Sequence, residues 1–412
     1  MIDPFTIKFN EVVWHDRPFH HHISGKLVKK DFYNRVSIKT EAENILFSDS
    51  PTPIIIQGER RSGKTSLLRL LESHMENDPS GQWVPLHIPY MGIHSCQSLF
   101  NEIIFQLGSK FDLEFKDKTA PGNSPPPNEP TVSSFISTLR NALAGVKYKT
   151  IVICIDEFDL ILEDQEIPDI EKNKIIGFIN ELIEQTDIQI KLLLTLSRLL
   201  DRYEIARRSP LTSKSRVFRL IPFTNAEMNE MVCDIMGNQY SLPPEDFERI
   251  YNLSGGWPYF IKLLMYYMAQ QPGISPVWSR LLELALEDIS VQRAIENIYF
   301  AHFNDDEKKV VLLLSKYAGN FKNNNLEFLD EKEKEAFTEL CERHFLERTE
   351  DGNYGFAVGF LKDWFPRWIK FKGEADSRIK DILGRLTCTK DSWFSTPAVE
   401  VTEEDRIKYK LP

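Results

Sequence analysis

No C-x-x-C pair occurs in this sequence. Its five cysteines, Cys96, Cys154, Cys233, Cys341 and Cys388, stand far apart. That spacing excludes a zinc-finger type of site and a disulfide framework, and it fits a reducing compartment. Long hydrophobic runs are missing too. No stretch approaches the roughly 18 apolar residues that a membrane helix needs, and no signal peptide is recognisable. No self-similarity recurs at a spacing of roughly 20–50 residues, which argues against a repeat architecture. An excess of positive charge is also absent. Lys and Arg number 50 against 61 Asp and Glu, a net charge of −11, so bulk electrostatics favour neither nucleic acid nor an anionic membrane. What remains is globular, with 42% hydrophobic and 27% charged residues. A length of 412 residues allows two or three domains. The expected location is the cytoplasm.

The most informative stretch is Gly58-Glu59-Arg60-Arg61-Ser62-Gly63-Lys64-Thr65, which reads G-x-x-x-x-G-K-T. Pro53-Ile54-Ile55-Ile56-Gln57 before it is a short β-branched run, and Ser66-Leu67-Leu68 after it opens a helical pattern. Strand, glycine-bounded loop and helix N-terminus together suit a phosphate. The glycines let backbone N–H groups turn inward, and the helix dipole adds positive potential at the same point. Gly58, Arg60, Arg61, Ser62, Gly63, Lys64, Thr65 and Ser66 are therefore the candidate nucleotide contacts. Lys64 is expected to reach the β- and γ-phosphates, and the Thr65 hydroxyl to meet Mg²⁺. Downstream, Thr150 to Ile155 is a continuous apolar strand that ends in Asp156-Glu157. A strand of this kind delivers its last residues to the carboxyl edge of an α/β sheet. Asp156 suits Mg²⁺, which takes only one or two carboxylates, and Glu157 suits a general base that polarises water.

Between and around these motifs, strands alternate with helices. Gln82 to Ile88, Ile188 to Ser197 and Val217 to Pro222 read as further strands. Residues 31–48, Gln97 to Phe111, Thr131 to Val146 and Asp169 to Gln185 carry helices. The pattern predicts a parallel sheet covered on both faces. Ala120 to Pro130, with five prolines, reads as a loop. After residue 223 the strands stop. Thr224-Asn225-Ala226-Glu227 is a capping-box pattern, and helices are expected to about Phe303. From residue 305, helix Asp306–Tyr317, helix Glu331–His344 and two β-like runs around Asp351-Gly352 read as a winged helix. The predicted boundaries are 1–30, an N-terminal segment; 31–223, the nucleotide-binding α/β domain; 224–304, a helical lid; 305–372, a winged-helix domain; and 373–412, a tail. The cluster His15, His20, His21 and His22 has no Cys or acidic partner at ligand spacing and reads as an exposed or interface segment.

These motifs together resemble the STAND branch of AAA+-related P-loop ATPases, near the archaeal-type ATPases, over residues of about 31–370. Phe32-Tyr33-Asn34-Arg35 resembles the F-x-G-R motif that lies near the adenine, with Asn34 where the family has glycine. The resemblance makes Tyr33 and Arg35 nucleotide contacts. Gly255-Gly256-Trp257-Pro258-Tyr259 resembles the lid motif whose proline packs on the base, which points to Pro258. Ser209-Pro210-Leu211 and Phe356 to Trp364 match further family segments. Ser197 or Thr195 falls where such ATPases place a polar γ-phosphate sensor. Among Arg207, Arg208 and Arg216, Arg208 is the candidate arginine finger. The resemblance implies ATP and ADP with Mg²⁺, slow regulatory hydrolysis and self-association in the ATP state. A protein effector or sensor is expected in trans, docking on the N-terminal segment or the acidic tail, unless the chain is a fragment. The competing expectation is a DNA-directed AAA+ ATPase that uses its winged helix. The charge of the Glu331–His344 helix, rich in glutamate, speaks against that one.

Overall fold

The structure, a computed structural model, describes residues 35–111, 131–142, 150–185, 189–198, 200–236, 242–269, 278–316, 321, 326–327 and 329–373. The histidine cluster, Tyr33, Asn34, the proline-rich segment and the tail beyond residue 373 lie outside them. The chain divides into two compact units, with the change between Ile221 and Pro222.

In the first unit α1 (Val36–Leu46) precedes β1 (Ile54–Gln57), α2 (Lys64–Glu76), β2 (Trp83–Pro89) and α3 (Cys96–Phe111). Then come α4 (Val132–Ala142), β3 (Thr150–Asp156), α5 (Phe158–Glu163), α6 (Asp169–Glu184) and β4 (Ile190–Leu196). Two short helices, α7 (Glu204–Arg207) and α8 (Pro210–Lys214), lead to β5 (Arg216–Arg219). The five strands form one sheet in the order β2-β3-β4-β1-β5, and every pairing is parallel.

Side chains alternate along each strand, and the alternation separates two cores. Ile54 and Ile56 of β1, Val152 and Cys154 of β3 and Leu193 of β4 face one layer, with Ala42 and Leu46 of α1 and Leu67, Leu68 and Leu71 of α2. Ile55, Ile151, Ile153, Ile155, Leu192 and Leu194 face the other, against α3, α4 and α6. Both faces are buried, which is why these strands read as unbroken apolar runs rather than alternating ones. The strand order also places the site. Gln57 of β1 pairs with Leu196 of β4, and Leu194 pairs with Ile155 of β3. The loops that follow these three neighbouring strands therefore open at one edge of the sheet, beside the point where the order reverses.

The second unit is helical up to residue 316: α9 (Asn225–Met236), α10 (Pro244–Ser254), α11 (Pro258–Ala269), α12 (Trp278–Glu287), α13 (Ile289–Ile298) and α14 (Asp305–Lys316). Thr224 and Glu227 make the reciprocal cap that starts α9. Gly255 and Gly256 turn the chain between α10 and α11 with φ of 57° and 72°. A Cβ on Gly255 would run into the Ala357 carbonyl, and one on Gly256 into the Phe223 carbonyl, so only glycine serves at either place. After α15 (Glu331–Glu342), β6 (Leu346–Arg348) and β7 (Tyr354–Phe356) form an antiparallel hairpin whose turn includes Gly352 at φ 77°. α16 (Gly359–Gly373) closes the unit and contains Pro366. Around that proline Trp364, Phe365 and Trp368 are all buried in an aromatic cluster with Phe300.

Two expectations shift in detail. β5 covers Arg216–Arg219 rather than extending to Pro222, because Leu220 makes the last ladder bond, to Gln57 O, before the chain turns away. α5, α7 and α8 have no counterpart in the sequence reading, since helices of 6, 4 and 5 residues are too short to show a period.

Candidate functional site

The loop from Gly58 to Gly63 turns back on itself between β1 and α2. Gly63 takes the left-handed conformation (φ 104°) and no side chain caps the first turn of α2. The leading N–H groups of this helix are thus left for an anion. Gly58 is pressed against its surroundings: a Cβ there would lie 2.6 Å from Ser62 Oγ and 2.8 Å from Leu220 O. Arg61, also in the loop, holds φ 63° without being glycine. Among the described residues four non-glycines have positive φ, and three of them, Arg35, Arg61 and Glu157, belong to this site. Local backbone strain of this kind collects where geometry matters to function.

Lys64 points back into its own loop and is 5% exposed. Its Nζ donates to Gly58 O at 2.8 Å, Glu59 O at 3.1 Å and Ser197 Oγ at 3.2 Å. Burial lowers its pKa, while Asp159, Glu59, Glu157 and Asp156 pull the other way. The Thr65 hydroxyl donates to Asp156, at 3.0 Å and 3.2 Å to its two oxygens. That convergence of a hydroxyl and a carboxylate fits a hard divalent cation, which takes oxygen ligands. Among the described residues no cluster of three His, Cys, Asp or Glu side chains could hold a metal by itself.

The two hydroxyls at the end of β4 separate cleanly. Thr195 is fully buried and donates to Asp156 Oδ1 at 2.5 Å, while its Oγ1 accepts the Glu157 N–H at 2.8 Å. It therefore orients both acidic residues. Ser197, two residues on and on the same face, meets Lys64. Glu157 sits at the N-terminus of α5 with φ 54°. Burial raises its pKa; Arg60, 3.6 Å away, opposes the rise.

Arg35 comes to the site in another capacity. Its guanidinium donates to Ser62 O at 2.7 Å and Ile221 O at 2.6 Å, so it clamps the phosphate loop to the segment that follows β5. Ser66 lies on the first turn of α2, partly exposed. Arg207 and Arg208 are exposed at the end of α7, and Arg216 pairs with Glu41 at 2.5 Å. Among the described residues no ion pair joins Arg208 to the Lys64 cluster. Pro258 is the first residue of α11, in the second unit. Sequence reasoning passed over Asp159, although the run Ile155-Asp156-Glu157-Phe158-Asp159 carries three carboxylates. The signal was there, but not the burial that makes it matter.

Residues 32–264 match the family described as an ATPase domain predominantly from Archaea. No curated protein matches the chain. Among solved structures, the Walker-type ATPase PABY2304 of Pyrococcus abyssi superposes with a TM-score of 0.59 at 15% identity, over 84% of this chain and 99% of that one. The ORC2 protein of Aeropyrum pernix, in ADPNP–ADP complexes, gives 0.52 at 12% identity, over 88% and 99%. At these identities the structures attest the fold. The family match spans more than half of the sequence and contains Lys64, Thr65, Asp156 and Glu157. The chain belongs to this archaeal-type ATPase domain family and is a nucleotide-binding P-loop ATPase.

Proposed function

We propose that the protein is an ATP-driven switch of the STAND type, which changes conformation or oligomeric state with its nucleotide to control a partner protein. The observation that carries this reading is the array in which Lys64, Ser197, Thr65, Thr195, Asp156 and Glu157 interlock at one sheet edge. Lys64 leaves its loop carbonyls for the β- and γ-phosphates when nucleotide arrives. Thr65 and Asp156 would hold Mg²⁺, which supplies charge neutralisation to the phosphates. Glu157 orients the attacking water and takes its proton. The Ser197 hydroxyl, released by Lys64, reports on the terminal phosphate. Arg208, exposed on the surface, is assigned as the finger offered to a neighbouring copy. Residues 224–304 serve as a lid with Pro258 against the base, and 305–372 as a winged helix.

A DNA-directed role is the second reading, supported by the fold shared with the Aeropyrum ORC2 protein. The surface of α15 weighs against it. Its exposed positions are Glu331, Lys332, Glu335, Thr338 and Glu342, and Glu333 is taken up in the cap with Asp330. Three carboxylates against one lysine repel a phosphate backbone. Size-exclusion chromatography with light scattering tests the proposal, in ADP and in a non-hydrolysable ATP analogue. Assembly in the ATP analogue alone, kept by Glu157→Gln and lost in Lys64→Ala, is the expected result. A protein that stays monomeric in every nucleotide, yet binds duplex DNA with a steep salt dependence, would overturn it.

A further inference from the structure

Asp159 has no role in the account so far. It lies in α5, three residues beyond Asp156, and is 2% exposed. Its Oδ2 accepts the Ser197 N–H at 2.8 Å, and its Oδ1 is buried without a hydrogen-bond partner. Burying a carboxylate is unfavourable unless charge or donors answer it. Burial raises the Asp159 carboxyl, with the Lys64 ammonium first among the groups that oppose the rise. Asp159 is in turn the first of the carboxylates that offset the burial of Lys64. The acid is thus kept in the core chiefly by the lysine of the phosphate loop and the amide of Ser197, with smaller help from its own amide and Arg60.

That amide needs an acceptor. β4 ends at Leu196, whose carbonyl takes the Gly58 N–H at 3.1 Å. Ser197 is one residue past the ladder, at the start of the turn that leads to a 3-10 helix at Leu200–Arg202. Thr195 is held by the strand on both sides of it; Ser197 is held by Asp159. We propose that Asp159 is a positioning residue: through the Ser197 amide it fixes the end of β4 so that the Ser197 hydroxyl stays aimed at Lys64 and at the terminal phosphate. The inference rests on the reading of Ser197 as the phosphate sensor.

Asp159→Asn retains an oxygen that accepts the same N–H but removes the charge; Asp159→Ala removes both. The test measures kcat for ATP and the affinity for a fluorescent ADP in Asp159→Ala, Asp159→Asn, Ser197→Ala and the double variant Asp159→Ala/Ser197→Ala. Ser197→Ala and Asp159→Ala are each expected to lower kcat about tenfold or more, with ADP affinity within about threefold of wild type. The double variant should be no slower than Ser197→Ala, because both act through one hydroxyl. Asp159→Asn should stay within about threefold of wild type in kcat. Losses that multiply in the double variant, against a slow Ser197→Ala, overturn the inference alone. A Ser197→Ala enzyme with wild-type turnover overturns the sensor reading and the inference with it. An Asp159→Asn enzyme that binds ADP normally but is as slow as Asp159→Ala places the effect in the charge on Lys64 and also contradicts the proposal. If Asp159→Ala does not fold, Asp159→Asn decides: near-normal turnover supports the proposal, and slow turnover with normal ADP binding refutes it.

Discussion

Gly58 has room for a hydrogen atom and nothing larger. A methyl group there meets the Ser62 hydroxyl and the Leu220 carbonyl, and neither can retreat without moving the phosphate loop or the end of β5. Gly58→Ala is therefore expected to cost about 1–3 kcal/mol of stability and to weaken ADP binding. Urea unfolding followed by titration with fluorescent ADP checks both. At this scale the sequence was legible where function is written in a contiguous run. Gly58 to Thr65 and Asp156-Glu157 stand where their motifs placed them, because a strand, a turn and a helix are local structures. Side-chain destinations set by distant contacts were not legible. Thr195 and Ser197 share one strand face and were equal candidates for a sensor. Only the register of β4 beside β3 and β1 puts the first under Asp156 and the second on Lys64. Arg35 carries a guanidinium suited to phosphate, yet the fold directs it to two backbone carbonyls, a use that no spacing reveals.

Whole elements depend on single buried charges. Lys191 is the second residue of the apolar strand β4, and its Nζ donates to the carbonyls of Ile45, Leu46 and Ser48, at and just past the end of α1. These are acceptors that a helix C-terminus leaves open. Lys191→Met should cost about 1–3 kcal/mol, since it takes the lysine donor from the buried Leu46 carbonyl. Burial also pulls the Lys191 pKa down to about 8 from 10.5. The folded chain then holds this proton less firmly than the unfolded chain does, so this group's contribution makes stability rise with pH from about 8 to 10.5. Chemical denaturation at several pH values reads the slope, which should be missing in Lys191→Met. In the second unit, Glu307 is fully buried and pairs with Arg343 at 2.5 Å, and its other oxygen accepts the Asn304 N–H at 2.7 Å. Arg343→Met removes this cation from a fully buried carboxylate, and a loss of about 3–5 kcal/mol is expected. A thermal scan that separates the two units should show only the transition of the second one lowered. Element types were readable from periodicity along most of the described chain. The shortest helices were not, and Pro366 inside α16 contradicts a local rule that aromatic packing overrides.

For the molecule as a whole, the chain pairs an α/β unit that ends at Ile221 with a unit of helices and one small hairpin. The first holds the Lys64 array, with its lysine resting on loop carbonyls and on Ser197. Among the described residues no helix is long and apolar enough to cross a membrane. The catalytic account makes one demand on the whole protein, that binding and hydrolysis of ATP be separable by substitution. Lys64→Ala removes the charge that the proposal assigns to the phosphates. Glu157→Gln preserves shape and hydrogen bonding but cannot take a proton. The measurement that tests this most directly is ATP turnover beside ATP affinity for the wild type and these two variants. Glu157→Gln is expected to bind ATP as the wild type does and to turn it over about 10²–10⁴ times more slowly, while Lys64→Ala loses binding. Wild-type turnover in Glu157→Gln, or unchanged ATP affinity in Lys64→Ala, would contradict the account.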